Sequence, residues 1–398
     1  MTQKEETSRY HCMVVYAYYP LGETRVQREA EALVAHGYQV DVIALRGREE
    51  IAQEQYRGVH VYRLPLRIRK NSLIRQFLNY VYFLLLAAVK LAQFHGRHPY
   101  HTVQVHNLPD FLVFCALIPK IGGVPVILDL HDLMPEFYAG RFPEHARGWL
   151  ARLVRLQERL ACKFADHVIT VSEHWRQALI KRGVPSSKCS VVMNVADEKI
   201  FKPQEEKPKL ASNNKFELIY HGSLVYRYGL DLAIQAVDRV RHTIPHIHLT
   251  LLGDGDYIPA LIRMRDELGL EEFVTIYDEL RPAEELPGII QQADLGIVPY
   301  RNDVFTDGLL PTKLMEYAAM GLPSIASSTT AMQLYFSNMM VEFFEPGDVE
   351  GLADCIQKLY AAPQRMAVLR AGCALFNEHY NWEKLGAEYA LLVDQLSS

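Results

Sequence analysis

An apolar run that ends in ionisable residues is the most chemically informative stretch of the sequence. It reads VILDLHDLMPEFY over Val126–Tyr138 and brings Asp129, His131, Asp132 and Glu136 into one turn. Because an unpaired buried charge costs several kcal/mol, so many ionisable groups at the end of a buried strand exceed what stability requires. A histidine flanked by two aspartates at such a position indicates a functional group, and the alternative is a structural histidine.

A second stretch, Asp307–Ala326, has the composition of an anion-binding helix start. Its loop leads into a helix that opens with Thr312 and Lys313. The unpaired N–H groups and partial positive charge of a helix N-terminus suit a diphosphate. A lysine in the first turn opposes the helix dipole unless an anion lies across from it. Glu316 would project near the helix start, where its carboxylate can accept hydrogen bonds from ribose hydroxyls. The alternative is an amphipathic helix with solvated charges.

Two glycine-containing turns follow predicted strands in the second half of the chain. Tyr220–Leu230 combines a strand, a glycine turn and a helix start, and Ile247–Gly255 is a strand that ends in Gly-Asp-Gly. The second turn fails as a dinucleotide fingerprint, because Ile258 stands where the third glycine of GxGxxG should be. These turns therefore indicate the rim of a ligand site but disfavour a nicotinamide cofactor.

The elements that must hold these residues alternate between β-rich and helical runs along the whole chain. Strands are predicted in the first half at Cys12–Tyr19, Tyr38–Leu45, His60–Leu64, Thr102–His106, Val124–Asp129 and His167–Val171. Ala196–Lys215, with three prolines and many charges, is predicted to be a linker, and a second alternating series begins at Phe216. Such alternation produces parallel sheets covered by helices.

We therefore predict an α/β fold with two doubly wound, Rossmann-like domains that face each other across a cleft. The predicted boundaries are 1–195 for the N-terminal domain, 196–215 for the linker and 216–375 for the C-terminal domain. A C-terminal helix is predicted over 376–398, with the option of crossing back to the N-terminal domain. Ligands in such sheets bind outside the carboxyl ends of the strands, where the motifs above lie.

The segment KLMEYAAMGLPSIA, which begins at Lys313, resembles the C-terminal signature of the group-1 glycosyltransferases (glycosyltransferase family 4). This family has the glycosyltransferase B fold, and its signature has two glutamates separated by seven residues. Glu316 matches the second glutamate, which in the family binds the nucleotide ribose. The first glutamate falls on Gly308, and the adjacent Asp307 is the candidate substitute.

The resemblance implies a donor site in the C-terminal domain and an acceptor site in the N-terminal domain. The family usually has Lys-Gly at this helix start, where this sequence has Tyr228-Gly229. Arg227, one residue earlier, is therefore the residue expected to bind the pyrophosphate. The implied donor-binding residues are Gly222, Arg227, Gly253, Asp307, Gly308, Leu309, Leu310, Thr312, Lys313 and Glu316. The implied acceptor-binding residues are Gly22, Glu23, Arg25, His106 and Asn107, and His221 is a further cleft candidate. His131 takes the role of a family histidine that touches the donor sugar, with Asp129 or Asp132 orienting it.

What the resemblance implies about function is a retaining hexosyltransferase-type enzyme. It would move a sugar from a UDP- or GDP-sugar to a polysaccharide, glycolipid or lipid-linked acceptor in envelope or capsule glycan biosynthesis. The nucleotide-diphospho-sugar is then a co-substrate, and no metal is expected, because Arg227, Lys313 and the helix start would neutralise the departing diphosphate. Two alternatives remain: a nucleotide-sugar-binding protein with lost catalysis, and an NAD-dependent sugar-nucleotide oxidoreductase or epimerase.

Composition narrows the class of protein and its compartment. The chain has 398 residues and a net charge of -5, which disfavours a general nucleic-acid binder. Its six cysteines are scattered without a CxxC pair, and the N-terminus lacks the apolar core of a secretory signal. We therefore predict a reduced, cytoplasmic protein.

A basic and apolar stretch, Arg63–Val89, raises the question of membrane contact. Its basic residues are Arg63, Arg67, Arg69, Lys70 and Arg75, and they precede the apolar run Phe77–Val89. That run is shorter than the ~20 residues that a membrane span needs. It predicts either a helix that rests on the inner face of an anionic membrane or an ordinary core helix.

Overall fold

The computed structural model describes residues 9–20, 23–48, 50–67, 73–203 and 215–398. The chain divides into two compact units. The first unit extends to Asn194 and includes Glu383–Ser398, and the second unit is Val195–Trp382. Gly22, Arg69, Lys70 and most of the predicted linker lie outside the described residues.

The first unit is an eight-stranded sheet covered by helices. Its strands are β1 (Arg9–Tyr18), β2 (Tyr38–Leu45), β3 (Gln53–Tyr56), β4 (Val59–Leu64), β5 (Thr102–His106), β6 (Val126–Leu130), β7 (His167–Thr170) and β8 (Cys189–Val191). Its helices are α1 (Thr24–Ala35), α2 (Leu73–His95), α3 (Leu117–Ile121), α4 (Met134–Arg141), α5 (Trp149–Phe164) and α6 (Glu173–Lys181), with short 3-10 helices at Asp110–Ala116, Pro143–His145 and Ser186–Lys188.

The strand order of this sheet is β3-β4-β2-β1-β5-β6-β7-β8, and only β3 is antiparallel to its neighbour. The middle strands are buried on both faces, which is why their sequences are almost continuously apolar. The chain reverses its direction across the sheet between β1 and β5. The carboxyl ends of β1, β5 and β6 therefore form the crevice where doubly wound sheets bind ligands.

The second unit is a six-stranded parallel sheet with the order β11-β10-β9-β12-β13-β14. Its strands are β9 (Phe216–His221), β10 (Ile247–Gly253), β11 (Val274–Asp278), β12 (Leu295–Val298), β13 (Ser324–Ser327) and β14 (Glu342–Phe344). Its helices are α7 (Leu230–Val240), α8 (Ile258–Glu267), α9 (Leu286–Ile290), α10 (Thr312–Ala319), α11 (Thr330–Tyr335), α12 (Val349–Ala361) and α13 (Pro363–His379), with 3-10 helices at Tyr226–Tyr228 and Thr306–Gly308. Here the direction reverses between β9 and β12, which makes their carboxyl ends the ligand crevice.

The predicted α/β class with two parallel sheets is confirmed, whereas several short elements were not predicted. Strands β3, β8 and β14 are three or four residues long, and β3 reads QEQY, which carries no apolar alternation. The C-terminal segment is two helices rather than one: α13 ends at His379 and α14 (Trp382–Ser397) follows it. Helix α14 packs on the first unit, where the Tyr389 hydroxyl donates to Gln104 Oε1 at 2.6 Å.

Helix α2 corrects two expectations about the basic and apolar stretch. It is 23 residues long, so the predicted apolar run was too short, and by length and composition its segment Ile74–His95 could cross a membrane. Among the described residues no other helix passes that test, and 22% of its apolar window is buried. Arg63 is buried on β4 and pairs with Glu50 and Glu54, so it is not available to a lipid headgroup.

Candidate functional site

The crevice of the first unit contains a cavity of about 350 Å³. It opens beside the carboxyl ends of β1, β5 and β6, and helix α2 supplies one wall. The lining side chains are those of Val15, Tyr16, Glu23, Gln76, Asn79, Tyr80, Asn107, Leu108, His131 and Asp132. The cavity is large enough for part of a sugar or a lipid headgroup.

His131 lies at the edge of this cavity and is positioned by contacts with Asn107, His106 and Asp129. Its backbone N–H donates to Asn107 Oδ1 at 2.8 Å, and its Nε2 lies 3.1 Å from His106 Nδ1 and 3.7 Å from Asp129 Oδ2. Burial alone would lower the pKa of His131, but the charge and hydrogen bonding of Asp129 together raise the pKa above its usual value. The imidazole is therefore oriented and inclined to keep its proton.

Arg25 holds Asp129 in a bidentate ion pair. Its Nε and Nη2 lie 3.0 and 2.9 Å from the two carboxylate oxygens, Nη2 also contacts Glu29 at 3.0 Å, and Nη1 donates to the carbonyl of Val192 at 2.7 Å. Burial would raise the pKa of Asp129, but the guanidinium, together with His131 and His106, holds that pKa well below its usual value. Since Arg25 is only 3% exposed and each nitrogen is engaged, the structure contradicts its predicted contact with an acceptor.

The other predicted residues of this unit divide into cavity-lining and buried groups. Asp129 and His106 are both fully buried and position His131 rather than reach the cavity. Burial lowers the pKa of His106 to about 4, so it is neutral at pH 7. Glu23, Asn107 and His131 line the cavity, as Asp132 does. Burial raises the pKa of Glu23, whose carboxylate lies 4.0 Å from His131 Nδ1.

His106, Asp129 and His131 also form a group whose ligand atoms lie within 4.8 Å of one another and could hold a metal ion. The guanidinium of Arg25 argues against a cation there, because it already pairs with both oxygens of Asp129. A metal would have to displace this cation or share its carboxylate. The geometry therefore favours a hydrogen-bonded cluster over a metal site at these three residues.

In the second unit Lys313 occupies a cage of tyrosine rings at the carboxyl ends of β9 and β12. Its Nζ donates to the Tyr300 hydroxyl at 2.7 Å and lies 4.8, 5.3 and 5.2 Å from the ring centres of Tyr220, Tyr228 and Tyr300. Burial lowers the pKa of Lys313 to about 8. Cation–π contacts and one hydrogen bond thus hold the ammonium beside Gly222, in the loop that follows β9.

Glu316 lies one turn further along α10 and faces His221. Its Oε2 is 3.2 Å from His221 Nε2. Burial, and then the charge of Lys313, lower the pKa of His221 to about 3, so the imidazole is neutral. Lys313, Glu316 and His221 therefore form one polar group at the crevice, with the two charges on adjacent turns of one helix.

Two glycines allow the loops of this crevice to approach each other. A Cβ on Gly253 would lie 1.7 Å from the carbonyl oxygen of Gly222, and both residues have positive φ, +154° and +114°. L-residues rarely adopt such backbone conformations. The loops after β9 and β10 thus present backbone, without side chains, beside Lys313.

The other residues predicted to bind the donor lie around the same crevice, and one of them, Asp307, already has a hydrogen-bond partner. The Arg227 guanidinium lies 5.2 Å from the Phe305 ring and is half-buried. Asp307 Oδ1 accepts from the Thr330 N–H at 2.9 Å at the start of α11, which commits one oxygen of this candidate substitute. Gly308 is buried in a 3-10 helix, Leu309 and Leu310 connect it to α10, and Thr312 is the exposed first residue of that helix.

Sequence reasoning missed the tyrosine cage and Arg301. Arg301 forms a bidentate pair with Asp231 at 2.7 Å for both contacts and lies over the Tyr226 ring at 4.1 Å. The sequence does place a tyrosine at the end of each strand that borders the crevice, Tyr220 on β9 and Tyr300 after β12. A tyrosine at the end of a strand is usually a core residue, so this pattern alone does not predict a binding site.

Comparison with known proteins agrees with this architecture. The family model for the glycosyl transferase 4-like domain matches residues 22–194, and that for glycosyl transferases group 1 matches residues 215–362. A GDP-mannose-dependent alpha-(1-6)-phosphatidylinositol monomannoside mannosyltransferase of Mycolicibacterium smegmatis is 24% identical over 319 residues, which cover 77% of this chain and 79% of that protein.

Solved structures with the same fold cover nearly the whole chain. Sucrose-phosphate synthase from Thermosynechococcus elongatus superposes with a TM-score of 0.76 at 18% identity, over 98% of this chain and 99% of that one. HepE of Anabaena, solved in complex with UDP, has a TM-score of 0.72 at 17% identity, over 97% of this chain and 100% of that one. At these identities the likeness concerns the fold alone.

Proposed function

Because the chain belongs to the group 1 glycosyltransferases, and is thus an enzyme that transfers a sugar, we propose that it is a retaining transferase with a nucleotide-diphospho-sugar donor and a glycolipid or lipid-linked acceptor. The observation that carries the donor assignment is Lys313 beside Gly222, with Glu316 one turn away on the same helix. Family membership removes the oxidoreductase alternative, which the broken GxGxxG already disfavoured.

The donor's diphosphate is assigned to the ammonium of Lys313 and the first N–H groups of α10. A pKa of about 8 makes Lys313 responsive, because an anion beside it raises that pKa and keeps the ammonium charged. The glycine backbone at Gly222 and Gly253 lets phosphate oxygens approach closely. Glu316 accepts hydrogen bonds from the ribose hydroxyls, and Arg227 is the second cation for the pyrophosphate. HepE, solved with UDP, has the same fold, which supports a nucleoside diphosphate as ligand.

The transferred sugar is assigned to His131. An acceptor hydroxyl attacks the anomeric carbon as the bond from that carbon to the phosphate oxygen breaks, and the departing phosphate takes the acceptor's proton. His131 donates a hydrogen bond to a sugar hydroxyl, and its raised pKa favours the form that carries the proton. No carboxylate nucleophile is required, in line with Asp129 being fully buried and paired. The diphosphate charge is met by side chains and helix N–H groups, so no metal is required.

The acceptor is assigned to the cavity beside His131. The relative that acts on phosphatidylinositol monomannoside supports an acceptor with a lipid anchor. The cavity wall from α2 offers amide and hydroxyl groups, Gln76, Asn79 and Tyr80, that can bind sugar hydroxyls. We expect the sugar part of the acceptor to occupy this cavity.

Screening UDP-, GDP- and ADP-sugars for thermal stabilisation tests the donor. A ligand at 100 times its Kd stabilises the folded state by about 2.7 kcal/mol, a shift that is easily measured. One nucleotide should stabilise the protein, and slow hydrolysis of the matching sugar nucleotide without acceptor should follow. No stabilisation by any of them, with a normal melting transition, would contradict the proposal. In the same screen Lys313→Met should lose most of this shift in melting temperature.

A further inference from the structure

Helix α5 exposes a stripe of large apolar side chains bordered by cations. Trp149, Leu153, Leu156 and Leu160 recur every three or four residues and so share one side of the helix, and Trp149 is 75% exposed. The exposed basic residues beside the stripe are Arg152, Arg155, Arg159 and Lys163. The one acidic residue of the helix, Glu158, is buried and pairs with Arg182. The exposed side chains of α5 are therefore only apolar or positively charged.

Aromatic contacts connect α5 with α2 through the 3-10 helix Asp110–Ala116, which leads into α3. Phe164 of α5 contacts Phe114 with ring centres 5.1 Å apart, and Phe111 of the same 3-10 helix contacts Phe77 of α2 at 6.0 Å. We call the combined surface the apolar face. Its exposed members are Ile74, Phe77, Leu78, Tyr82, Leu85 and Val89 on α2, Leu117, Ile118 and Ile121 on α3, and the four residues of α5 named above.

Topology explains why these helices share one side of the sheet. The steps from β4 to β5, β5 to β6 and β6 to β7 all run in the same direction across the strand order. Since such crossovers are right-handed, the intervening helices α2, α3 and α5 cover the same side. The apolar face holds more than half of the strongly exposed large hydrophobic side chains among the described residues. Soluble monomers seldom expose large contiguous apolar patches, so this concentration on one side of the sheet calls for a partner.

Charge identifies the occupant of this face. Helices α2 and α3 contain no acidic residue, and the one acid of α5 is buried. An apolar stripe with an arginine-rich border and an exposed tryptophan is the pattern of a helix that lies in the interface of an anionic bilayer. We propose that the first unit docks on an anionic lipid membrane through the apolar face, with α5 lying flat on the surface.

The docking surface borders the candidate acceptor cavity. Gln76, Asn79 and Tyr80 of α2 line the cavity, whereas Phe77 and Leu78, on the same turns, are exposed on the apolar face. A lipid embedded in the membrane would therefore meet the cavity at the membrane surface. This last step rests on the proposed function, whereas the docking itself does not.

Flotation of the full chain with lipid vesicles tests the docking. We expect the protein to float with vesicles of phosphatidylcholine and phosphatidylglycerol, and not with phosphatidylcholine alone. Arg155→Glu with Arg159→Glu should weaken binding at least about tenfold, because each cation near the surface contributes substantially. Trp149 fluorescence should shift to the blue on binding, and Trp149→Phe should remove the shift, because Trp175 is buried and the third tryptophan, Trp382, belongs to the second unit.

The matched control is a second exposed leucine on a helix of the same unit. Leu156→Asp places a charge in the apolar face and should abolish flotation, whereas Leu391→Asp on α14 should not, although the two leucines are similarly exposed, 48% and 53%. Equal loss in both variants, or no binding of the wild type to anionic vesicles, would overturn the proposal. So would a dimer that Leu156→Asp converts to monomer without any vesicle binding, because a second copy would then cover the face. Donor hydrolysis in solution separates failure of docking from failure of the proposed function.

Discussion

Arg25 and Asp129, 104 residues apart in the chain, form a bidentate ion pair that is sealed from solvent. The guanidinium keeps Asp129 ionised, and that charge in turn raises the pKa of His131 at the cavity. Arg25 thus fixes the ionised form of Asp129, and that carboxylate acts on His131 at the cavity. Because Arg25 is buried in this pair, its mutation is expected to change the stability of the protein rather than the binding of an acceptor.

Arg25→Met should destabilise the protein by about 3–5 kcal/mol, because it leaves the buried carboxylate of Asp129 without its cation. Urea unfolding followed by circular dichroism measures the change. Arg227→Met, a change at a half-buried arginine, serves as control and should cost far less stability. An Arg25→Met protein of normal stability with a raised KM for the acceptor would restore the binding role that the structure contradicts.

His131→Ala should lower kcat about a hundredfold while nucleotide affinity stays within about twofold. A hydrogen bond that strengthens as the sugar leaves contributes to the transition state rather than to the ground state. Steady-state kinetics and calorimetry with the nucleotide on the same protein provide the two numbers. His145→Ala, at an exposed histidine of the same unit, should change neither. Equal losses in rate and affinity would move His131 into the donor-binding shell.

Nucleotide affinity should fall as the pH rises above about 8. The pKa of Lys313 is lowered to about 8 by burial, so above that pH the free protein has lost the ammonium that the diphosphate needs. Binding then requires uptake of a proton, and Kd should rise up to tenfold per pH unit. Calorimetry between pH 7 and 9.5 measures the slope, and Lys313→Met should bind weakly with no slope in this range. An unchanged slope in Lys313→Met would assign the titration to another group.

The same lysine predicts how stability depends on pH. Its folded pKa lies below the ordinary value of 10.5, so between about 8 and 10.5 the unfolded chain holds a proton that the folded chain lacks. Stability from this group therefore rises with pH across that window, by about 1.4 kcal/mol per pH unit at most. Comparing Lys313→Met with wild type by urea unfolding at pH 7.5 and 9.5 isolates the contribution. A difference that is constant with pH would show that Lys313 titrates normally.

Gly253→Ala should unfold or severely destabilise the second unit, since the new Cβ would lie 1.7 Å from the backbone oxygen of Gly222. Neither backbone can yield cheaply, and the positive φ adds strain. Gly288→Ala is the control, because nothing lies within 4 Å of its added Cβ. Thermal melts of the two variants should differ clearly. A normal melt with lost nucleotide binding would instead indicate that the loop moves into the ligand site.

The sequence predicted those parts of the candidate site that are formed by residues close together in the chain. The strand before Asp129 and His131 could be predicted because a strand buried on both faces is almost continuously apolar. The start of the helix that contains Lys313 could likewise be predicted from the residues around it. The roles of Arg25 and of the tyrosines around Lys313 were not predictable in this way. Arg25 and Asp129 are 104 residues apart in the chain. Tyr220 lies on β9, Tyr228 in the 3-10 helix that follows it, and Tyr300 after β12. Their chemistry is a property of the tertiary fold.

The return of α14 to the first unit has a consequence for how the protein is made. Gln104, in the middle of β5, receives its hydrogen bond from Tyr389, and Tyr38 and Arg9 of the first strands bind Asp394. During translation the first unit emerges early but must wait for the whole of Val195–Trp382 before these partners exist. At ~5–20 residues per second that wait is on the order of 10–40 s. The nascent first half therefore leaves the ribosome with all eight strands but without helix α14, and a chain cut after Asn194 would lack these contacts permanently.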